Sequence, residues 1–138
     1  MKVICDTSFL MLLVSEPIKQ IDKLELQIGK LIFLIPDIVI EELKRIEKKV
    51  GPKRAMIAKT AIDVSYSKFE IIKVPKFRRA DDAILEYAKT SNYAVATIDR
   101  NLRNKLIENN TLVITLSKNR LVLAAAAAPG APPPNATK

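Results

Sequence analysis

LIFLIPDIVIEELKRIEKKV (residues 31–50) joins two different hydrophobic periods. Residues 31–35 form an unbroken apolar run, as a strand covered on both faces requires. Pro36 ends the run and Asp37 opens a helix. From there Ile38, Val39, Leu43, Ile46 and Val50 recur at helical spacing until Gly51-Pro52 breaks the chain. A buried strand feeding a helix is half of a crossover unit, and the same grammar recurs on either side. Strands are predicted at residues 2–5, 69–74, 93–98 and 112–116, with an edge segment at 121–123. Helices are predicted at 8–14, 18–28, 53–67, 80–91 and 100–108; Ile18, Ile21, Leu24 and Ile28 carry the second of these. VIC and AVATI are as continuously apolar as LIFLI. The expectation is an α/β fold, a three-layer α/β/α sandwich around a mostly parallel central sheet. On such sheets ligands bind at the carboxyl ends of strands, near a topological switch point.

The chain has 138 residues, 49% of them hydrophobic, enough for one domain with a real core. That domain is expected over residues 1–123. Residues 124–138, five alanines followed by PGAPPPNATK, lack periodicity and read as an Ala/Pro-rich flexible tail. MKVICDTSFL makes a poor signal peptide, and LIFLI meets Asp37 too early for a membrane span of roughly 18 apolar residues. A soluble, cytoplasmic protein follows, consistent with the single cysteine, Cys5.

Absences narrow the chemistry. Histidine is missing, which excludes a Ser-His-Asp triad, a Cys-His dyad and an imidazole base. With one cysteine, an ordinary zinc site is excluded as well. Gly29, Gly51 and Gly130 are too scattered for a GxGxxG turn or a P-loop. Polar catalysis would fall to carboxylates, through a hard cation such as Mg²⁺ or Mn²⁺. The net charge of +8 calls for a polyanion, nucleic acid first and a membrane surface second.

Five carboxylates stand out. Asp6 and Asp99 each follow a strand and head a helix, where capping is the ordinary role. Asp81 and Asp82 open RADDAILEYA, where acids suit the helix dipole. Asp81 lies one turn before Ile84 and Leu85 and leans towards the packed face, with Asp82 further out. Glu42 falls between Ile38 and Ile46 on the apolar stripe, whereas Glu41 faces solvent. A charge on such a stripe needs a partner ion, a cation or a way out to water. Each signal is weak alone, but all five map to one edge of the sheet. Two follow strands beside its centre, and the others sit on helices at the same edge.

DTS at 6–8, VIEEL at 39–43, DDAILEYA at 81–88 and ATIDRNL at 96–102 resemble the PIN-domain nucleases in order and spacing over residues 1–118. DDAI followed sixteen positions on by the threonine of ATID, Asp81 to Thr97, is the most specific part. The resemblance implies cleavage of single-stranded RNA with Mg²⁺ or Mn²⁺ held by Asp6, Glu42, Asp81 and Asp99, with Asp82 as a further metal ligand. The adjacent Asp81-Asp82 pair and ATIDRNLR look closer to PIN nucleases of rRNA processing, while the compact length suits VapC-type toxins equally. The implied partners are rRNA or another single strand, a ribosome or pre-ribosome, a second copy of the chain, or an antitoxin. Arg78, Arg79, Arg100, Arg103, Lys53 and Arg54 flank the acids in sequence and are candidates to track an RNA backbone. Two rival classes are an inactive PIN-fold RNA- or ribosome-binding factor and a phosphoacceptor α/β domain. The second lacks a convincing phosphorylatable aspartate with a strand-end lysine.

Overall fold

In the computed structural model, residues 1–16, 21–49 and 51–124 are described. The elements run β1 (Lys2–Cys5), α1 (Thr7–Ser15), α2 (Ile21–Ile28), β2 (Ile32–Pro36), α3 (Asp37–Lys49) and α4 (Pro52–Lys68). They continue with β3 (Glu70–Ile72), α5 (Ala80–Ser91), β4 (Ala94–Ala96), α6 (Arg100–Glu108), β5 (Val113–Ser117) and β6 (Arg120–Leu123). The start of the helix predicted at 18–28, and the tail beyond Ala124, lie outside the described residues.

The strands form one sheet in the order β3-β2-β1-β4-β5-β6. All neighbours are parallel except β5 and β6. From β1 the chain builds towards β2 and β3, and from β4 in the opposite direction. The switch point therefore falls between β1 and β4, paired as Val3 with Ala94 and Cys5 with Ala96. Right-handed crossovers put the helices of the two halves on opposite faces. Accordingly α1, α3 and α4 pack together, while α5 packs with α6.

The core is apolar throughout the sheet centre: Val3, Ile4, Val95, Ala96, Val113 and Ile114 are sealed from solvent. A tilted Phe9–Phe33 contact and an edge-on Phe33–Phe69 contact tie α1, β2 and the end of α4 together on one face. The edge hairpin turns through Lys118 and Asn119, both at positive φ, the geometry of a two-residue type I′ loop. No helix among the described residues is long and apolar enough to cross a membrane.

Two expectations need adjusting. β3 and β4 are three residues each, shorter than predicted, because the chain turns into loops at the site edge. On α3 the sealed row is Val39, Ile40 and Leu43, and Ile38 and Ile46 are only partly buried. Packing against both α4 and β2 rotates the buried face towards Ile40, which leaves Glu42 at its margin.

Candidate active site

The site begins where β1 and β4 end side by side. Asp6 follows Cys5 and caps α1, its Oδ1 accepting from the Phe9 amide at 2.8 Å. Asp99 caps α6 in the same way, its Oδ1 accepting from Asn101 N at 2.8 Å and Leu102 N at 3.2 Å. Capping explains why an aspartate suits each position, but in both residues it uses Oδ1 alone. Thr97 links the two. Its hydroxyl donates to Asp6 Oδ2 and accepts from the Asp99 amide at 3.0 Å. Thr97 is fully buried and Asp6 nearly so, so this bridge is shielded from water.

Helices bring the remaining acids. Glu42 on α3 is half-buried, and its Oε1 accepts from Thr7 Oγ1 at 2.6 Å. Thr7 adjoins Asp6, so this bond draws α3 to the end of β1. Asp81 and Asp82 occupy the first turn of α5 and are both half-buried. Glu41 is exposed.

The electrostatics place Asp81 at the centre. Its pKa is raised first by burial and then by Asp99, while Arg79 opposes the shift and Glu42 and Asp82 add to it. Asp6 is raised to about 6, chiefly by burial; Thr97, Phe9 and Ser8 hydrogen bonds pull it down and Asp81 pushes it further up. Buried carboxylates that repel one another are what a bound cation would relieve. The donors are all oxygen, which suits a hard divalent ion. No group of three or more acids among the described residues is arranged to enclose an ion unaided. That is compatible with Mg²⁺, which usually keeps several waters and takes only one or two carboxylates. Cys5 is no rival nucleophile, because burial and the neighbouring Asp6 hold its thiol well above the usual range.

Two clefts meet at this cluster. One, of about 450 Å³, runs between α5 and α6 and is lined by Asp81, Asp82, Asp99, Asn101, Asn104 and Lys105, among others. The second, about 250 Å³, is lined by Glu42, Arg45, Arg79, Ala80 and Asp81. Arg79 and Asp81 belong to both. Of the six basic candidates only Arg79 lines these clefts. Lys53 lies in another groove beside Val14 and Ser15 of α1 and the following Glu16. Arg54, Arg78 and Arg100 are exposed and Arg103 is half-buried on α6, none of them on either cleft wall.

The family profile described as a PIN like domain matches residues 3–119. The chain belongs to the PIN-like domain family. Ribonuclease VapC4 of Methanocaldococcus jannaschii is 32% identical over 125 residues, covering 86% of this chain and 92% of that protein. The solved PIN domain endonuclease Utp24 superposes with a TM-score of 0.71 at 22% identity, covering 92% of this chain and 95% of that one. VapBC2 from Rickettsia felis, solved bound to a DNA fragment from its promoter, gives 0.58 at 18% identity, covering 88% and 100%. At these identities the two structures establish the fold.

Within this PIN-like domain, sequence reasoning missed the hydroxyls that orient the acids: Thr7 on Glu42, and Ser8 and Thr97 on Asp6. A signal for two of them stood in DTS, where two hydroxyl residues follow the strand-end aspartate. It also missed Arg45, one turn beyond Glu42 on α3.

Proposed function

We propose that this PIN-like protein is a metal-dependent endoribonuclease that hydrolyses phosphodiesters in single-stranded RNA. The observation that supports it most is the gathering of Asp6, Glu42, Asp81, Asp82 and Asp99 at the switch point. Among the described residues, Asp6, Glu42 and Asp99 accept their hydrogen bonds from hydroxyls and backbone amides. Of Asp6, Glu42, Asp81 and Asp99, one or two would hold Mg²⁺ or Mn²⁺ directly and the others through its waters, with Asp82 as a supplementary ligand. When bound, the ion lowers the pKa of a water and offsets charge on the phosphate. The chain's own part is to gather its carboxylates and orient them. Thr97 fixes Asp6 relative to Asp99, and Thr7 fixes Glu42. Arg79 stands between the two clefts, where it can meet a phosphate. With no histidine and a protonated Cys5, carboxylates are also the groups left to accept a proton.

The test uses a circular, labelled single-stranded RNA, which an exonuclease cannot enter. Cleavage is expected with Mn²⁺ or Mg²⁺, none in EDTA, and none from Asp6→Asn or Asp81→Asn. Calorimetric titration should show Mn²⁺ binding weakened in both variants. Equal Mn²⁺ binding by wild type and the double variant would sink the metal site. Binding of RNA without cleavage in either metal would favour an inactive PIN-fold factor.

The 32% identity to Ribonuclease VapC4 favours a VapC-type toxin with a cognate antitoxin over an enzyme of rRNA processing. Co-expression with the product of the adjacent open reading frame decides between them. A toxin is silenced by that partner, and an rRNA-processing enzyme is not.

A further inference from the structure

The two clefts share Arg79 and Asp81 and diverge from there, one along α6 and one along α3. Along α6, the cleft residues Asn101, Asn104, Lys105 and Glu108 recur at helical spacing, forming a polar row that leads away from Asp99. Along α3, Arg45 stands one turn past Glu42. Lys105 and Arg45 are both exposed. Among the described residues, the hydrogen bonds accepted by the site carboxylates come from Thr7, Ser8, Phe9, Thr97, Asn101 and Leu102. Among the described residues, neither Arg45 nor Lys105 is one of these donors, and their exposed side chains can reach a ligand at the cleft walls.

A phosphodiester strand approaching five carboxylates is repelled unless cations hold it on each side of the point of contact. We infer that the two clefts are the halves of one track for a single strand, with Arg45 holding a backbone phosphate on one side of the cut and Lys105 holding one on the other. The inference rests on the RNA cleavage proposed above and names the groups that position the substrate. Both are positioning residues: they touch phosphates outside the reacting bond and carry no base readout. Arg79, at the junction, faces the phosphate between them. A strand gripped from both sides is cut internally, which fits an endonuclease.

The experiment measures binding of a labelled single-stranded RNA in EDTA by fluorescence anisotropy as salt is raised. Arg45→Gln and Lys105→Gln are compared with wild type and with Arg120→Gln, an equal loss of charge on the edge strand β6. Each phosphate contact contributes about 0.7 to the log–log salt slope on a single strand. The slope should therefore fall by about 0.7 in Arg45→Gln and in Lys105→Gln, and stay unchanged in Arg120→Gln. Under turnover, KM should rise several-fold in the first two with kcat nearly intact. Strands shortened on one side of the mapped cut then separate the two subsites. Shortening one side should abolish the effect of one substitution and leave the other untouched, and shortening the opposite side should do the reverse. Three results would overturn the inference: either variant behaving like Arg120→Gln, both effects vanishing with the same truncation, or wild type failing to bind. Failure of the nuclease reading would look different, as no Mg²⁺- or Mn²⁺-dependent cleavage while the EDTA slopes still separate the variants.

Discussion

Asp6 directly follows β1 and Asp99 comes three residues after the neighbouring parallel strand β4, and each caps the next helix through Oδ1. They differ in what surrounds the second oxygen. Asp6 is only 4% exposed, with Thr97 and Ser8 on its carboxylate and Asp81 close enough to repel it. Asp99 is half-buried and opens onto the α5–α6 cleft. The difference follows from position: Asp6 adjoins the end of β1 inside the sheet, whereas Asp99 stands three residues beyond the end of β4. The same capping role therefore goes with one acid that carries a desolvation cost and one at the cleft wall. Capping engages Oδ1 alone, so a capping role and the proposed functional role are compatible in one aspartate.

The largest effect expected from this contrast is on the apo protein carrying Asp6→Asn. Asp6 titrates near 6 in the folded state against an ordinary 3.8, so the native protein binds more protons than the unfolded chain between those values. Stability from this group is thus lost as pH rises from about 4 to 6, and the cost is fully present above that. Asp6→Asn should then raise apo stability at pH 7 by up to about 3 kcal/mol and flatten that window. Denaturant melts of both proteins across the range would show it. A variant no more stable than wild type at pH 7 would mean that burial of Asp6 carries no electrostatic cost.

Thr97→Val tests the link between the two acids. It keeps the shape, removes the donor to Asp6 and takes away the acceptor of the Asp99 amide. Destabilisation of about 1–3 kcal/mol is expected, as for a buried polar group left unpaired. The acidic limb of the cleavage pH profile should move to higher pH, and Thr97→Ser should restore it. A stable variant with an unmoved profile would show that the bridge orients nothing.

Asp99→Asn sharpens the contrast by its small size. Asparagine caps as well as aspartate, so the favourable charge lost at the start of α6 is set against the relieved repulsion of Asp81. Apo stability should change by less than about 1 kcal/mol, well short of the gain from Asp6→Asn. If the two substitutions shift melting equally, the contrast in burial does not control the site. Smallest of all is Glu41→Gln, on the exposed side of α3, expected within about 0.5 kcal/mol and with cleavage near normal. Glu42→Gln should abolish cleavage with the fold intact. It brings little thermal gain, because Thr7 already satisfies a half-buried carboxylate. Reversal of the two activities would break the helix phase assigned to α3.

Much of this architecture is legible in the order of residues along the chain. The periods of LIFLI and IVIEELKRI specify strand and helix, since they describe which faces must be dry. DTS, DDAI and ATID supply the acids in order, and their places after strands or at helix starts give a local reason for each residue type. The phase of α3 is less legible. A stripe read from one helix assumes one packing partner, and α3 has α1, α4 and β2 around it. Basic residues near the acids in sequence are poor guides as well. Arg78, Arg100 and Arg103 lie within three or four residues of an acid yet miss both clefts, whereas Arg45 reaches one from another element.

By itself, then, the sequence determined the elements, the parallel sheet and the set of carboxylates, because these depend on hydrophobic period and on residue chemistry within a few positions along the chain. Only the tertiary structure decided that β1 lies against β4, which places Thr97 on Asp6 across 91 positions of chain. It likewise decided that Thr7 meets Glu42, that Asp6 is sealed while Asp99 is open, and that two clefts meet at Arg79. Burial, through-space repulsion and hydrogen bonds between distant residues act over distances of a few ångströms, and no spacing along the chain encodes those distances.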